Sequence, residues 1–253
     1  MTRIDLNCDV GESSDPTVLS AHEHIIESVT SVNIACGWHA GNPEVMRRLV
    51  QIAKAHGAHI GAHPGYRDPE GAGRREHSLS ASDIENLIAY QLSALAGIAA
   101  LEGAGVSHVK PHGALYNTAA GDRGIAEAIA RAVRAVDRRL ILYGLAGSHL
   151  VEAARANGLH AAAEAFADRA YRADGTLVPR SLAGAVLDDE ARVIKQVMSL
   201  VCDGYVTSVE GQRVSLTVET VCLHGDTPGA VRWAASLRRA LEQAGIHVAA
   251  LGP

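Results

Sequence analysis

Short apolar, strand-like runs alternate with helix-like segments along the whole chain, and this alternation restricts the fold more than any other feature. Strands separated by helical crossovers pair in parallel, which places the chain among the α/β architectures. The patterning predicts strands at 4–10, 31–36, 59–62, 107–110, 140–144, 160–165 and 220–223. Helices are predicted at 21–27, 43–56, 80–103, 124–136, 148–157, 189–201 and 228–244. Boundary signals support them: Pro43 in a first turn, Ser80 as an N-cap with Asp83 behind it, and Gly158 past a helix end. A β-hairpin turning at Glu210-Gly211 is predicted near 205–216. Seven core strands in 253 residues fit a single (β/α) barrel domain over 1–253, seven-stranded, TIM-like and imperfectly closed. An open doubly wound sheet is the alternative, although no G-x-G-x-x-G follows the first strand and no Walker A sequence occurs.

Charge and composition narrow the function classes. Formal net charge is −5, with no basic run, so nucleic acid and anionic membrane are poor partners. Aromatic content of 4% argues the same way, because base stacking needs aromatic platforms. The N-terminus enters a strand without a charged-then-apolar leader, and no apolar stretch is expected to reach the length of a membrane span. Cys8, Cys36, Cys202 and Cys222 lack C-x-x-C spacing and mostly fall in apolar strand patterns, which reads as free thiols in a reducing cytoplasm.

Four predicted strands run out into a histidine beside a glycine. They are Ile34-Ala-Cys-Gly-Trp-His39, Ile60-Gly-Ala-His63-Pro-Gly65, Val109-Lys110-Pro-His112-Gly113 and Val221-Cys-Leu-His224-Gly225. A barrel converges the carboxyl ends of its strands on one place, so His39, His63, His112 and His224 are expected to share a site. His59 and His108, at strand starts, are expected on the opposite rim in structural roles. On the first strand Asp5, Asn7 and Asp9 share a face. Asp5 is expected to bond backbone, whereas Asp9, at the strand exit, is a candidate for chemistry. Lys110 on a buried strand must meet a carboxylate or an anionic ligand; Glu164 or Asp168 could supply the carboxylate, Glu219 less readily. Asp9, His39 and His63 have the residue types of a divalent-metal site, with a hydrogen-bonding role equally open. Arg74 and Arg75 lie in a glycine-rich loop that is either solvated or an anion clamp. No Ser-His-Asp pattern is evident, and Cys8 and Cys36 have the wrong parity for a nucleophile on the polar face.

Together these segments resemble the LamB/YcsF family of 5-oxoprolinase A subunits. The likeness is carried by Asp5-Leu-Asn-Cys-Asp-Val-Gly-Glu-Ser13, Asn33-Ile-Ala-Cys-Gly-Trp-His-Ala-Gly41, Gly61-Ala-His-Pro-Gly-Tyr66 and Gly73-Arg-Arg75. It continues through Val109-Lys-Pro-His-Gly-Ala-Leu-Tyr-Asn117, Glu164-Ala-Phe-Ala-Asp-Arg169 and Leu223-His-Gly-Asp226. The chain departs from the family's habit after Ser13 and at Trp38, Asn42 and His59. The resemblance implies a barrel related to glycoside hydrolase and deacetylase barrels. It implies a hydrolase that opens 5-oxo-L-proline to L-glutamate with ATP as co-substrate, and partner subunits B and C. Asp9, His39, His63, Lys110 and His112 are then expected to be catalytic. Asn7, Arg74, Arg75, Glu164, Asp168 and His224 are expected to bind the lactam. The alternatives are a stand-alone metal-dependent amidase or deacetylase and a non-catalytic lactam-binding subunit.

Overall fold

The structure, a computed structural model, describes residues 2–225 and 229–252. In chain order its first half comprises β1 (Arg3–Val10), α1 (Pro16–Ile26), β2 (Ser31–Ala35), α2 (Pro43–His56), β3 (His59–His63), α3 (Ala81–Leu101) and β4 (Val106–Val109). There follow α4 (Gly113–Gly121), α5 (Arg123–Val136), β5 (Ile141–Leu145), α6 (His149–Ala156), β6 (His160–Phe166) and α7 (Glu190–Met198). A π-helical turn leads into the antiparallel hairpin β7 (Tyr205–Thr207) and β8 (Arg213–Ser215). The chain ends with β9 (Thr220–His224), α8 (Ala230–Gln243) and β10 (His247–Val248). The expected helix start at Pro228 lies outside the described residues.

Seven parallel strands form a ring in the order β1, β2, β3, β4, β5, β6, β9, with β9 bonded to both β6 and β1. The barrel is therefore closed, which corrects the expectation of imperfect closure. Closure satisfies the backbone of both edges that an open sheet would leave bare. The short β10 adds to β1 at Arg3 and Ile4, and Leu251 beyond it packs against Ile141, Tyr143 and Ala162.

Alternation along each strand divides the molecule into two kinds of interior. Outward residues such as Leu6, Val10, Val32, Ile34, Leu142 and Leu223 form one apolar cluster with the helices. Each such aliphatic side chain contributes about 1.5–3 kcal/mol on burial. The inward face carries polar residues that bond one another across the ring. Asp5 accepts from the hydroxyls of Thr30 (2.6 Å), Ser31 (2.7 Å), Tyr143 (3.0 Å) and Thr220 (2.6 Å). Its role is structural, as expected, but its partners are hydroxyls rather than backbone.

His108 is not on the opposite rim. It stands inside the barrel, 1% exposed, stacked on Tyr143 at 4.3 Å, with Nε2 donating to Asn33 Oδ1 at 2.8 Å. Burial pushes its pKa down to about 3, so it is neutral and its ring is fixed by that bond. Gly61 makes room for it: a β-carbon there would lie 2.0 Å from His108 Nε2. Gly61→Ala is expected to cost about 3 kcal/mol or more, at or above the upper range for overpacking, because Tyr143 blocks the ring's retreat. Urea denaturation checks this, and a loss below about 1 kcal/mol would show that the barrel interior yields.

Three local readings change. The first helix begins at Pro16, where Asp15 caps Thr17 N at 2.7 Å, several residues ahead of the expected 21. The stretch after His112 is helical: α4 has no side-chain cap, and its Ala114 N–H bonds Gly73 O instead, a tertiary contact. Finally, α3 is long and apolar enough by length and composition to cross a bilayer, contrary to expectation. In the barrel its Ile84, Leu87, Ile88, Leu92 and Leu95 are buried in the apolar cluster.

Candidate active site at the carboxyl rim

The rim is organised around the Lys110 ammonium, which follows β4 and is 1% exposed. Nζ lies 2.9 Å from Asp9 Oδ1, 2.9 Å from Glu164 Oε1, 3.0 Å from Cys222 Sγ and 3.3 Å from Asn7 Oδ1. Burial pulls the ammonium's pKa down, but the charges of Asp9 and Glu164, with the bond to Cys222 Sγ, outweigh it and hold it well above the ordinary lysine value. Of the two partners expected for Lys110, Glu164 is the one that pairs with it. Its second oxygen accepts from Tyr116 of α4 at 2.7 Å. Glu219 faces elsewhere and accepts from Ala163 N. With its three protons engaged by these neighbours, Lys110 holds the site's own carboxylates in place.

Asp9 is aimed by the same network. Asn33 Nδ2 donates to Asp9 Oδ1 at 2.8 Å and to Asn7 Oδ1 at 2.7 Å. The other carboxylate oxygen, Oδ2, faces His63 Nε2 at 3.4 Å and His224 Nε2 at 3.9 Å. Burial raises the Asp9 pKa, yet the His63 and Lys110 charges lower it further, leaving it well below the usual carboxylate range.

Three of the four strand-end histidines pack as one group. His63 Nδ1 donates to Lys110 O at 2.7 Å, and His112 Nε2 donates to Ala72 O at 2.8 Å. Their other nitrogens approach to 3.0 Å, and Glu12 Oε1 lies 3.2 Å from His112 Nδ1. His39 lies flat on His112, ring centroids 3.9 Å apart and planes within 2°. Neither His39 nitrogen has a protein hydrogen-bond partner among the described residues. Burial and the charges of His112 and His63 push its pKa down to about 2, so it is neutral. The glycines of the motifs are spacers here. A β-carbon at Gly65 would sit 2.6 Å from His39 Nδ1, and one at Gly73 2.7 Å from His112 Cδ2.

The fourth histidine faces a cavity. His224 at the end of β9 bonds Asp168 through Nδ1 at 2.8 Å, leaving Nε2 turned toward Asp9. A cavity of about 420 Å³ opens there, lined by Asp9, Glu12, Ser13, Thr17, His22 and His224, among others. That volume suits a small molecule.

The strand ends thus bring together Asn7, Asp9, His39, His63, Lys110, His112, Glu164, Asp168 and His224. Arg74 reaches the rim from its loop, 3.8 Å from Glu12. Arg75 is not brought there: it is tied to Asp68 and, at 3.5 Å, to Glu70 within its own loop. Among the described residues, two sets of ligating atoms are close enough to share an ion, Glu12 with His63 and His112, and Asp9 with Cys222 and His224. The Asp9–His39–His63 trio is neither of them. Sequence reasoning missed Glu12, Asn33, Tyr116 and Cys222. Cys222 shares strand parity with Thr220 and His224, and Asn33 alternates with Ser31, so both were readable. Tyr116 was hidden by the unpredicted α4.

The LamB/YcsF family profile matches residues 4–253. The chain belongs to the LamB/YcsF family. It is 53% identical over 251 residues to the 5-oxoprolinase A subunit of Geobacillus thermodenitrificans, covering 99% of this chain and 98% of the relative. The protein of that name from Bordetella pertussis is 51% identical over 247 residues, 98% of each chain. Among solved structures, the lactam utilization protein of Thermus thermophilus superposes with a TM-score of 0.91 at 42% identity, over 99% of this chain and all of that one. The polysaccharide deacetylase Bc1974 of Bacillus cereus, at 11% identity and a TM-score of 0.52 over 99% and 92% of the two chains, shares the fold alone. The LamB/YcsF chain thus folds as a closed seven-stranded barrel, a fold it shares with that deacetylase.

Proposed function

We propose that this LamB/YcsF chain is the A subunit of an ATP-dependent 5-oxoprolinase, acting as one (β/α) barrel domain with partner subunits B and C. The observation that carries the reading is full-length identity above 50% to relatives bearing that name. A cytoplasmic location suits its four cysteines, none of which is bridged.

The chemistry follows from the substrate. A five-membered lactam is a stable amide, and phosphorylating its oxygen with ATP makes the carbonyl carbon electrophilic. Because this chain lacks a Walker A sequence, ATP handling is assigned mainly to the partners. Water adds to the activated carbon, the ring C–N bond breaks as the nitrogen takes a proton, and the acyl phosphate so formed is cleaved by a second water to phosphate and the new carboxylate of glutamate. His224, oriented by Asp168 and facing the cavity, is the base that takes the water's proton. Lys110 holds Asp9 and Glu164 as fixed charges, and Arg74 at the rim is the cation for the substrate carboxylate or phosphate.

Glutamate release from 5-oxoproline is the deciding measurement, made with this chain alone and with subunits B and C, with and without ATP. Glutamate is expected only when both partners and ATP are present. ATP-independent turnover by the chain alone would replace this reading with a stand-alone amidase, for which the Glu12–His63–His112 group is the supporting observation. Lactam binding by the chain, with turnover unaffected by Asp9→Ala, would leave it a non-catalytic binding component.

A further inference from the structure

The facing nitrogens of His63 and His112 pose a problem of charge. Each ring gives one N–H to a backbone carbonyl, to Lys110 O and to Ala72 O. Carbonyls only accept, so those two protons are committed. In the neutral state of both rings, the remaining nitrogens would then point two lone pairs at each other across 3.0 Å. Something positive must lie between them, a proton or a metal ion.

The surroundings favour an ion of higher charge. Glu12 Oε1 stands 3.2 Å from His112 Nδ1, and Asp9 Oδ2 stands 3.4 Å from His63 Nε2. Among the described residues, Asp9, Glu12 and Glu164 bring three carboxylates to this part of the rim, where the buried cation between them is Lys110. Arg74 reaches Glu12 from the solvent side, at 3.8 Å. We propose that His63 Nε2, His112 Nδ1 and Glu12 Oε1, with Asp9 Oδ2 beside His63, form a binding site for one divalent transition-metal ion.

Three features support the assignment. Around an ion with bonds of about 2.0–2.1 Å, neighbouring ligand atoms lie on the order of 3.0–3.4 Å apart, the spacing of His63 to His112 and of His112 to Glu12. The donor set, two imidazoles and a carboxylate, suits zinc and its first-row neighbours better than magnesium or calcium. Each ligand also has an outer support, carbonyls behind both histidines and Arg74 on Glu12, while Asn33 and Lys110 hold the far oxygen of the neighbouring Asp9. Such supports fix tautomer and orientation before the ion arrives.

The test is direct metal binding by the full chain, stripped with a chelator and titrated with Zn²⁺ and with Co²⁺ as a spectroscopic probe. About one ion per chain is expected, with cobalt d–d absorption showing imidazole ligation and a rise in thermal midpoint on binding. His63→Ala and His112→Ala are expected to weaken binding by at least about 100-fold. Glu12→Gln, on the half-buried loop where folding is least at risk, should weaken it about 10- to 100-fold. His224→Ala should leave binding near wild type, which separates this site from the Asp9–Cys222–His224 group. Failure of the wild-type chain to bind, or undiminished binding in folded His63→Ala and Glu12→Gln variants, overturns the site and leaves a shared proton between the rings. Binding is read without substrate, ATP or partners, so its outcome is independent of the 5-oxoprolinase reading.

Discussion

Lys110→Met is expected to destabilise the fold by about 3–5 kcal/mol, because it leaves the Asp9 and Glu164 carboxylates buried without their common counter-charge. Methionine nearly matches the lysine stem in length, so lost packing contributes little. The loss should appear as a lower urea midpoint with an unchanged slope. It should shrink in a background that removes one of the stranded charges. Glu164→Gln keeps the side chain's shape and an acceptor for Tyr116, so Lys110→Met/Glu164→Gln should recover more than half of the lost stability. Turnover of the assembled enzyme should not return with it, since Asp9 would still lack the contact that aims its Oδ1. A cost of less than about 1 kcal/mol for Lys110→Met, or strict additivity of the two substitutions, would mean that the ammonium is not the electrostatic centre of the rim.

Asp168→Asn is expected to lower kcat of the assembled enzyme by about 100- to 10,000-fold while leaving the fold intact. In the native arrangement the carboxylate accepts from His224 Nδ1–H at 2.8 Å, which makes Nε2 the lone-pair nitrogen facing the cavity. An asparagine in the same place can turn its amide toward Nδ1 and donate, which selects the opposite tautomer and presents Nε2–H to the water. The base is then protonated where it should accept. Because the substitution alters tautomer rather than the cavity wall, KM should move far less than kcat. His224→Gln should give a loss of similar size, and the double variant should be little worse than either single one, as for groups that act as a unit. Equal losses in kcat and 1/KM for Asp168→Asn would assign the pair to substrate binding instead.

Much of the rim is legible in the sequence. His39, His63, His112 and His224 stand out because each follows an apolar run at the same place relative to a strand end, and a parallel barrel converts sequence position into spatial proximity. Asp9 and Lys110 stand out because a charge inside a buried strand demands a partner. The division of roles is not legible. That Glu164 meets Lys110 while Asp168 meets His224 depends on the register of β6 against β9, where Glu164 stands beside Thr220. Equally hidden is the return of Arg75 onto Asp68 within its own loop.

What the sequence determined by itself was periodicity: seven strands, their facing, the polar stripe of Asp5, Asn7 and Asp9, and the shared rim of the four strand-end histidines. These follow from local chemistry, because alternation and turn residues act over a few positions. Only the tertiary structure decided that β9 closes the ring onto β1, that α4 forms on the support of Gly73, and that two histidines meet nitrogen to nitrogen beside Glu12 and Asp9. Each of those outcomes joins residues tens to hundreds of positions apart. Their energies depend on distance and orientation across the barrel, which no local pattern encodes.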